Sequence, residues 1–316
     1  MKKVVLIGLM ILPLSLWAQQ SSAGDPTPSG TIATNVTFPS ERVVTPTRAD
    51  LYCSGFVSKP IQTHANFVAG GLDSPFTTQF GSGEAVFLNG KGYELGQEYT
   101  IVRELRDPNR FELYPGQWAA LKAAGQPYAE LGTVKIVDTR NKMTVAQVEF
   151  ACDTILPGDY AIPFVNKTHV NFHPPMRVDR FAPANGQTSG RIILAKEFDS
   201  ELGTGAKVYL NIGSNQGLKV GDYLKAVRSY EITARDAVDK LSFKAPSLDP
   251  TQLKQPSMEQ GFLNRSNGPE IHIADMPRRA IGEIVIIGTT PSTATGMIVY
   301  SLETVHIGDR VELDQQ

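Results

Sequence analysis

Apolar and polar side chains alternate with a period of two through most of this chain, and the alternating pattern is laid down twice. In residues 206–228, Ala206, Val208 and Leu210 alternate with Lys207, Tyr209 and Asn211, as expected of a strand with one buried face. Gly213, Gly217 and Gly221 then punctuate a turn, Asp222 follows, and a second apolar run covers residues 223–227. Residues 84–103 repeat the layout with a loop three residues shorter: Leu88 and Asn89 answer Leu210 and Asn211, Gly92 answers Gly217, Gly96 answers Gly221, and Val102 and Arg103 answer Val227 and Arg228. Further on, residues 131–160 and 281–310 align without a gap. Gly132 pairs with Gly282, Val134 with Ile284, Ile136 with Ile286, Val148 with Ile298, Thr154 with Thr304, and Gly158 and Asp159 with Gly308 and Asp309. At the upstream edge, Ser54 and Gly55 resemble Ser189 and Gly190, which places a first strand near residues 52–58.

The elements expected are therefore strands, about five or six short ones per copy, joined by tight glycine turns. A twisted antiparallel sheet of that size tends to close on itself and so protect its edges. The fold class expected is mainly β: two tandem small antiparallel β-barrel-like modules with short helical or disordered insertions. Module 1 covers 51–165 and module 2 covers 187–316, joined by a proline-bearing linker over 166–186. Residues 115–128 form an insertion in module 1, with Pro115 at a helix start and Trp118, Leu121 and Lys122 at helical spacing. The insertion in module 2, over 229–279, is longer. A short amphipathic helix is expected over 233–241, followed by a polar, proline-bearing stretch without periodicity. The turn positions singled out are Gly96, Gly158, Asp159, Gly221, Asp222, Gly308 and Asp309, where glycine supplies the positive φ that a side chain penalises.

The first residues break the pattern. Met1, Lys2 and Lys3 form a positive stretch, residues 4–16 are apolar, and Leu16, Trp17 and Ala18 precede a cleavage point before Gln19, which reads as a signal peptide over 1–18. Residues 19–50 are rich in Ser, Thr and Pro and read as an extended linker. The mature chain is expected in the periplasm or outside the cell, free or associated with the envelope, with no transmembrane span.

Charge changes little: 30 basic and 32 acidic residues leave no basic patch, which argues against nucleic acid as a partner. The two cysteines change more. Cys53 and Cys152 both lie in module 1, and their counterparts in module 2, taken as Thr188 and Leu302, are both non-cysteine. Joint presence and joint loss in an exported protein favour a Cys53–Cys152 disulfide over two buried thiols.

Candidate chemistry is sparse. His169 and His173 have helical metal-ligand spacing, but Pro174 and Pro175 follow and no third ligand lies near, so no metal site is expected. Residues 213–222 look like a phosphate loop but lack its Gly-Lys-Ser/Thr ending and precede a strand, not a helix. The Gly-Asp steps read as turns in preference to calcium ligands. Arg103 and Arg228 are equivalent and are expected to pair with acids inside their own modules. No nucleophile–base set stands out, so catalytic residues, cofactors and an enzymatic role are not expected. Trp118, Tyr114 and Tyr128 are candidate sugar-stacking rings, although core packing is the commoner use of a tryptophan.

Module 2, from residues 189–198 through 206–228 to 281–290 and 305–313, resembles the C-terminal domain of flagellar assembly protein T. It is also similar to modules of bacterial envelope proteins that often carry LysM domains, and the opening of module 1 at 52–57 looks like those proteins in particular. The resemblance implies small β-barrel-like modules and a non-catalytic role at the envelope. The function expected is an exported scaffold or adaptor that engages an envelope protein partner. The alternative is a peptidoglycan- or carbohydrate-binding protein.

Overall fold

The alternating segments close into two barrels with the same strand order. The computed structural model describes residues 43–72, 76–140, 142–171, 173, 179–229, 243–244, 270–271 and 276–314. The signal peptide, most of the 19–50 linker, the 233–241 helix and most of the 229–279 insertion lie outside the described residues.

The elements in order are α1 (Arg48–Tyr52), β1 (Phe56–Ser58), β2 (Phe67–Gly71), β3 (Ala85–Asn89), β4 (Glu98–Glu104), α2 (Gln117–Ala124), β5 (Gln126–Asp138), β6 (Thr144–Ala151) and β7 (Tyr160–Pro163). Module 2 has β8 (Ser189–Ala195), β9 (Glu201–Leu202), β10 (Lys207–Leu210), β11 (Tyr223–Arg228), β12 (Phe243–Lys244), β13 (Glu270–Ile271), β14 (Arg279–Thr289), β15 (Ala294–Ser301), β16 (Val305–His306) and β17 (Arg310–Leu313). The first ring runs β2-β3-β6-β5-β4-β7 and the second β8-β10-β15-β14-β11-β17, each antiparallel throughout. Even the irregularities recur: β5 shifts register at Thr133/Val134 and Ile136/Asp138, and β14 at Glu283/Ile284 and Ile286/Gly288. Such bulges sharpen the local twist, which closing six short strands requires.

Each ring encloses its own core. Val68, Leu88, Leu131, Val134, Ile136 and Val148 fill the first, and their counterparts Ile192, Leu210, Ile281, Ile284, Ile286 and Ile298 fill the second. Gly132 and Gly282 share one task. A Cβ there would lie 2.3 Å from the Phe150 carbonyl oxygen and 2.7 Å from that of Tyr300, so only glycine lets the paired strands approach.

Two sequence expectations need correction. Residues 52–58 do not supply the first strand of the first ring. The structural partner of β8 is β2: Val68 N–H donates to the Asp159 carbonyl as Ile192 N–H donates to that of Asp309. Gly190 therefore corresponds to Asn66, not Gly55. Cys53 instead caps α1, and the strand after it, β1, adds to β5 outside the ring. Second, the described end of the 19–50 linker and the 166–171 start of the connector are packed, not free. Val44 N–H donates to the Val299 carbonyl at 3.0 Å, and Leu51 and Val170 are buried against Tyr223, Val285, Ile287 and Val299 on the outer face of the second ring.

That packing locks the modules together within the compact unit Glu41–Gln316. The carbonyls of Ser54, Gly55 and Val57 accept hydrogen bonds from Tyr209 Oη (3.0 Å), Thr295 Oγ1 (3.0 Å) and Thr293 Oγ1 (2.6 Å) of the second ring. Val57 and Ala124 of module 1 pack with Ile193, Leu194 and Tyr209 of module 2. Tyr209, placed by the alternation on a solvated face, is fully buried because β1 covers it.

Candidate functional site

Most of the sequence-predicted positions are structural. Cys53 and Cys152 form a disulfide with their Cα atoms 5.7 Å apart, tying the end of α1 to the end of β6. Gly96, Gly158, Gly221 and Gly308 have φ of 81, 95, 97 and 102°, the left-handed region that favours glycine. The aspartates beside them cap turns: Asp159 accepts from Leu156 N–H, Asp222 from Lys219 N–H and Asp309 from His306 N–H. Arg103 grips Asp159 through Nε and Nη2 (2.8 and 2.7 Å) and donates to the Thr154 carbonyl; Arg228 does the same with Asp309 (3.0 and 2.8 Å) and Thr304. This bidentate staple is the shared internal pair the repeat predicts.

The 213–222 loop holds a single 3-10 turn, Ser214–Gln216. Its backbone donors are already used: Gly213 N–H on Gln216 Oε1, and the N–H groups of Ser214 and Asn215 on the carbonyls of Thr290 and Pro291. A phosphate would have to displace those bonds. His169 is exposed, whereas the His173 ring packs against Tyr223 with centroids 4.6 Å apart, so the two imidazoles have different environments. Among the described residues no three His, Cys, Asp or Glu side chains group to hold a metal ion. Of the candidate aromatic platforms, Tyr128 is fully buried, stacked on Phe56, and its Oη accepts from Gln62 N–H. Trp118 is corrected in the opposite direction: it is 54% exposed, not core.

A part-buried ion pair also holds the segment before β1. Lys167 Nζ lies 2.6 Å from both oxygens of Glu130 and donates to the Leu51 carbonyl, while Gly55 N–H donates to Glu130 Oε2. Every charge there is satisfied, so the cluster serves to fix the N-terminal segment.

The strongest candidate site is a cleft of about 300 Å³ where the loop before α2 meets the end of the second barrel. Its lining includes Tyr114, Gly116, Ser189, Arg191, Asn211 and Arg310. The loop is fixed from both sides. Glu112 accepts from Gly116 and Trp118 N–H, and buried Gln117 accepts from Leu113 N–H and donates to the Ile193 carbonyl of β8. Tyr114 thereby packs against the core of the second barrel, close over Gly308. The Arg191 guanidinium lies 4.9 Å from the centre of the Tyr114 ring, a cation–π contact. Asn211 Oδ1 accepts from Arg191 N–H at 2.7 Å and steadies the strand end. Arg191 and Arg310 stand directly opposite each other on β8 and β17. Burial, and after it the Arg191 charge, pushes Arg310 below the usual guanidinium range. Burial dominates the upward shift of the Tyr114 phenol.

A larger cleft, about 770 Å³, lies beside Arg48, Gln97, Glu98, Tyr99, Phe164 and Asn166. Its single arginine sits over the Tyr52 ring and is balanced by Glu98, so it carries no comparable charge bias. Sequence reasoning missed the arginine cleft. The available signal was the place where the duplication breaks: Arg191 and Arg310 stand where module 1 has Phe67 and Tyr160.

No family model matches the chain, and no curated protein matches it either. No helix among the described residues is long and apolar enough to cross a membrane.

Proposed function

We propose that this chain is an exported, non-catalytic scaffold or adaptor of the bacterial envelope that presents two fused barrels as one rigid block to a protein partner. The observation carrying this reading is the locked interface: β1 lies between the rings with its Ser54, Gly55 and Val57 carbonyls bound by Tyr209, Thr295 and Thr293. A rigid pair holds its loops at a constant separation, which suits assembly. Phe111 (80% exposed), in the loop before the α2 insertion, and Trp118 on α2 offer apolar contacts of the kind enriched in interfaces. The disulfide fits an oxidising compartment, as the apolar leader at 4–16 does. Crosslinking in the native envelope should capture a defined protein partner, and replacing Phe111 and Trp118 with Ser should reduce the yield. Recovery of monomer alone would count against the scaffold. The exposed Trp118 supports one further reading, binding to cell-wall glycan. Co-sedimentation with purified, protein-free cell wall, lost in W118A, would favour glycan over a protein partner.

A further inference from the structure

The junction inside this chain is a template for a second one. In the second barrel the outer face of β8, β10 and β15 is covered. Ile193, Leu194 and Tyr209 are buried against Val57 and Ala124, and Tyr209, Thr293 and Thr295 bond the backbone at β1. The equivalent strands of the first barrel are β2, β3 and β6. Gly70 stands opposite Phe87 as Leu194 stands opposite Tyr209, with the register shift at the same place. Phe87 lies between the core residues Val86 and Leu88, and Val145 between buried Thr144 and core Ala146, so both side chains point out of the ring. They are directly opposite each other across β3 and β6. Met143 and Val145 take the places of Thr293 and Thr295.

Among the described residues this face is open. Phe87 and Val145 are partly exposed, Met143 and Leu72 are 41% and 44% exposed, and a Cβ on Gly70 would meet no atom within 4 Å. A solvated outer face normally alternates to polar side chains, whereas this one is apolar over neighbouring strands. The covering half of the junction recurs as well. Residues 180–182 run beside the start of β14 as β1 runs beside the start of β5: Ala280 N–H donates to the Arg180 carbonyl at 2.7 Å, and the Arg278 side chain donates to the Ala182 carbonyl. Phe181 in that segment is 61% exposed, and the sequence repeats the module twice only, so no third barrel follows to receive it.

We propose that a second copy of this chain fills the open face, the Phe181 segment of one molecule docking on the first barrel of the next as β1 docks on the second barrel within a chain. Phe87, Met143 and Val145 stand where the second barrel has the hydroxyls of Tyr209, Thr293 and Thr295, so apolar packing replaces hydrogen bonds in this contact. Two different patches meet, which makes the contact heterologous: each molecule keeps one patch free, and copies add head to tail. The contact uses neither Phe111 nor Trp118, so its failure would leave the envelope-partner reading intact.

Sedimentation velocity of the mature protein at rising concentration tests this, and the mass should grow past that of a dimer. F87D places a charge on the receiving face and F181D one on the docking segment; each should weaken self-association about tenfold or more. Mixed in equal amounts, the two variants should form a species of two chains and nothing larger, because each keeps one patch intact. If F87D fails to fold, M143D, at a more exposed position, replaces it. A monomer at every concentration overturns the proposal, whether the face stays bare or is filled by residues 19–42 of the same chain. So does wild-type assembly that stops at a dimer, the mark of an isologous contact. Association unchanged in the folded variants, or a mixture that stays monomeric, overturns it equally.

Discussion

At the scale of single residues, buried charge sets the most specific expectations. Glu283 on β14 is buried opposite Lys225, with Asp314 near; Lys225 Nζ bonds Asp314 Oδ1 at 2.8 Å, which leaves Glu283 Oε2 without a partner. Burial, reinforced by the Asp314 charge and opposed by Lys225, raises the Glu283 carboxyl to about 7. A carboxyl raised on folding holds its proton more tightly in the native state. Its stabilising effect is complete below about pH 4.5 and is lost as pH rises through 7. Denaturant unfolding at pH 5 and pH 8 should therefore show a fall on the order of 2–3 kcal/mol that E283Q lacks. Equal pH slopes in the two proteins would contradict this environment for Glu283. The Arg228–Asp309 staple makes a second test. Both side chains are about nine-tenths buried, so R228M leaves Asp309 and the Thr304 carbonyl underpaired and should cost about 3 kcal/mol, measured by urea unfolding. The repeat marks Arg103 and Arg228 as equivalent and expects an acid of the same module beside each, but the fold alone names that acid as Asp159 or Asp309. Glu283 was invisible in sequence because its counterpart in the gapless alignment is Thr133, and a lone acid on a strand reads as solvent-facing.

At the scale of elements, β1 decides how the modules join. Gly55, just before it, has φ of +69°, and a Cβ would lie 2.5 Å from both the Tyr128 carbonyl oxygen and the Tyr209 Oη. Gly55→Ala therefore combines backbone strain with a steric clash, and should lower stability by about 2 kcal/mol or more by denaturant unfolding. Y209F removes only the hydroxyl bond to Ser54 and should cost about 1 kcal/mol. The disulfide anchors the same segment from its other end, across 99 residues. On the chain-entropy account the double variant C53A/C152A loses up to about 4–5 kcal/mol, seen as a lower melting temperature. Sequence placed residues 52–58 in the barrel because Ser54-Gly55 mimics Ser189-Gly190. Two matching residues cannot outweigh hydrogen-bond register, which makes β2 the true equivalent of β8.

At the scale of the whole molecule, the two rings should behave as one unit. Val57, Ile193, Leu194 and Tyr209 are all nearly fully buried at the junction, each contributing about 1.5–3 kcal/mol. That sum exceeds what a weakly docked pair would share, so calorimetry should give one cooperative transition. V57D, which places an unpaired charge there, should split it into two.

The sequence alone determined that one barrel is encoded twice, where its glycine turns fall, and that Arg103 and Arg228 are equivalent, because those features depend on local period and on backbone dihedrals. Only the tertiary structure decided what covers the outer faces: alternation shows that a face exists, not which distant segment lies on it. Ile284 and Ile286 face the ring's core while Val285 and Ile287 are covered from outside by Leu51 and Val170, a cover the period-two pattern does not name. The arginine cleft likewise came from folding, since Tyr114, Arg191 and Arg310 are far apart along the chain and meet only when the first module's loop closes over the end of the second barrel.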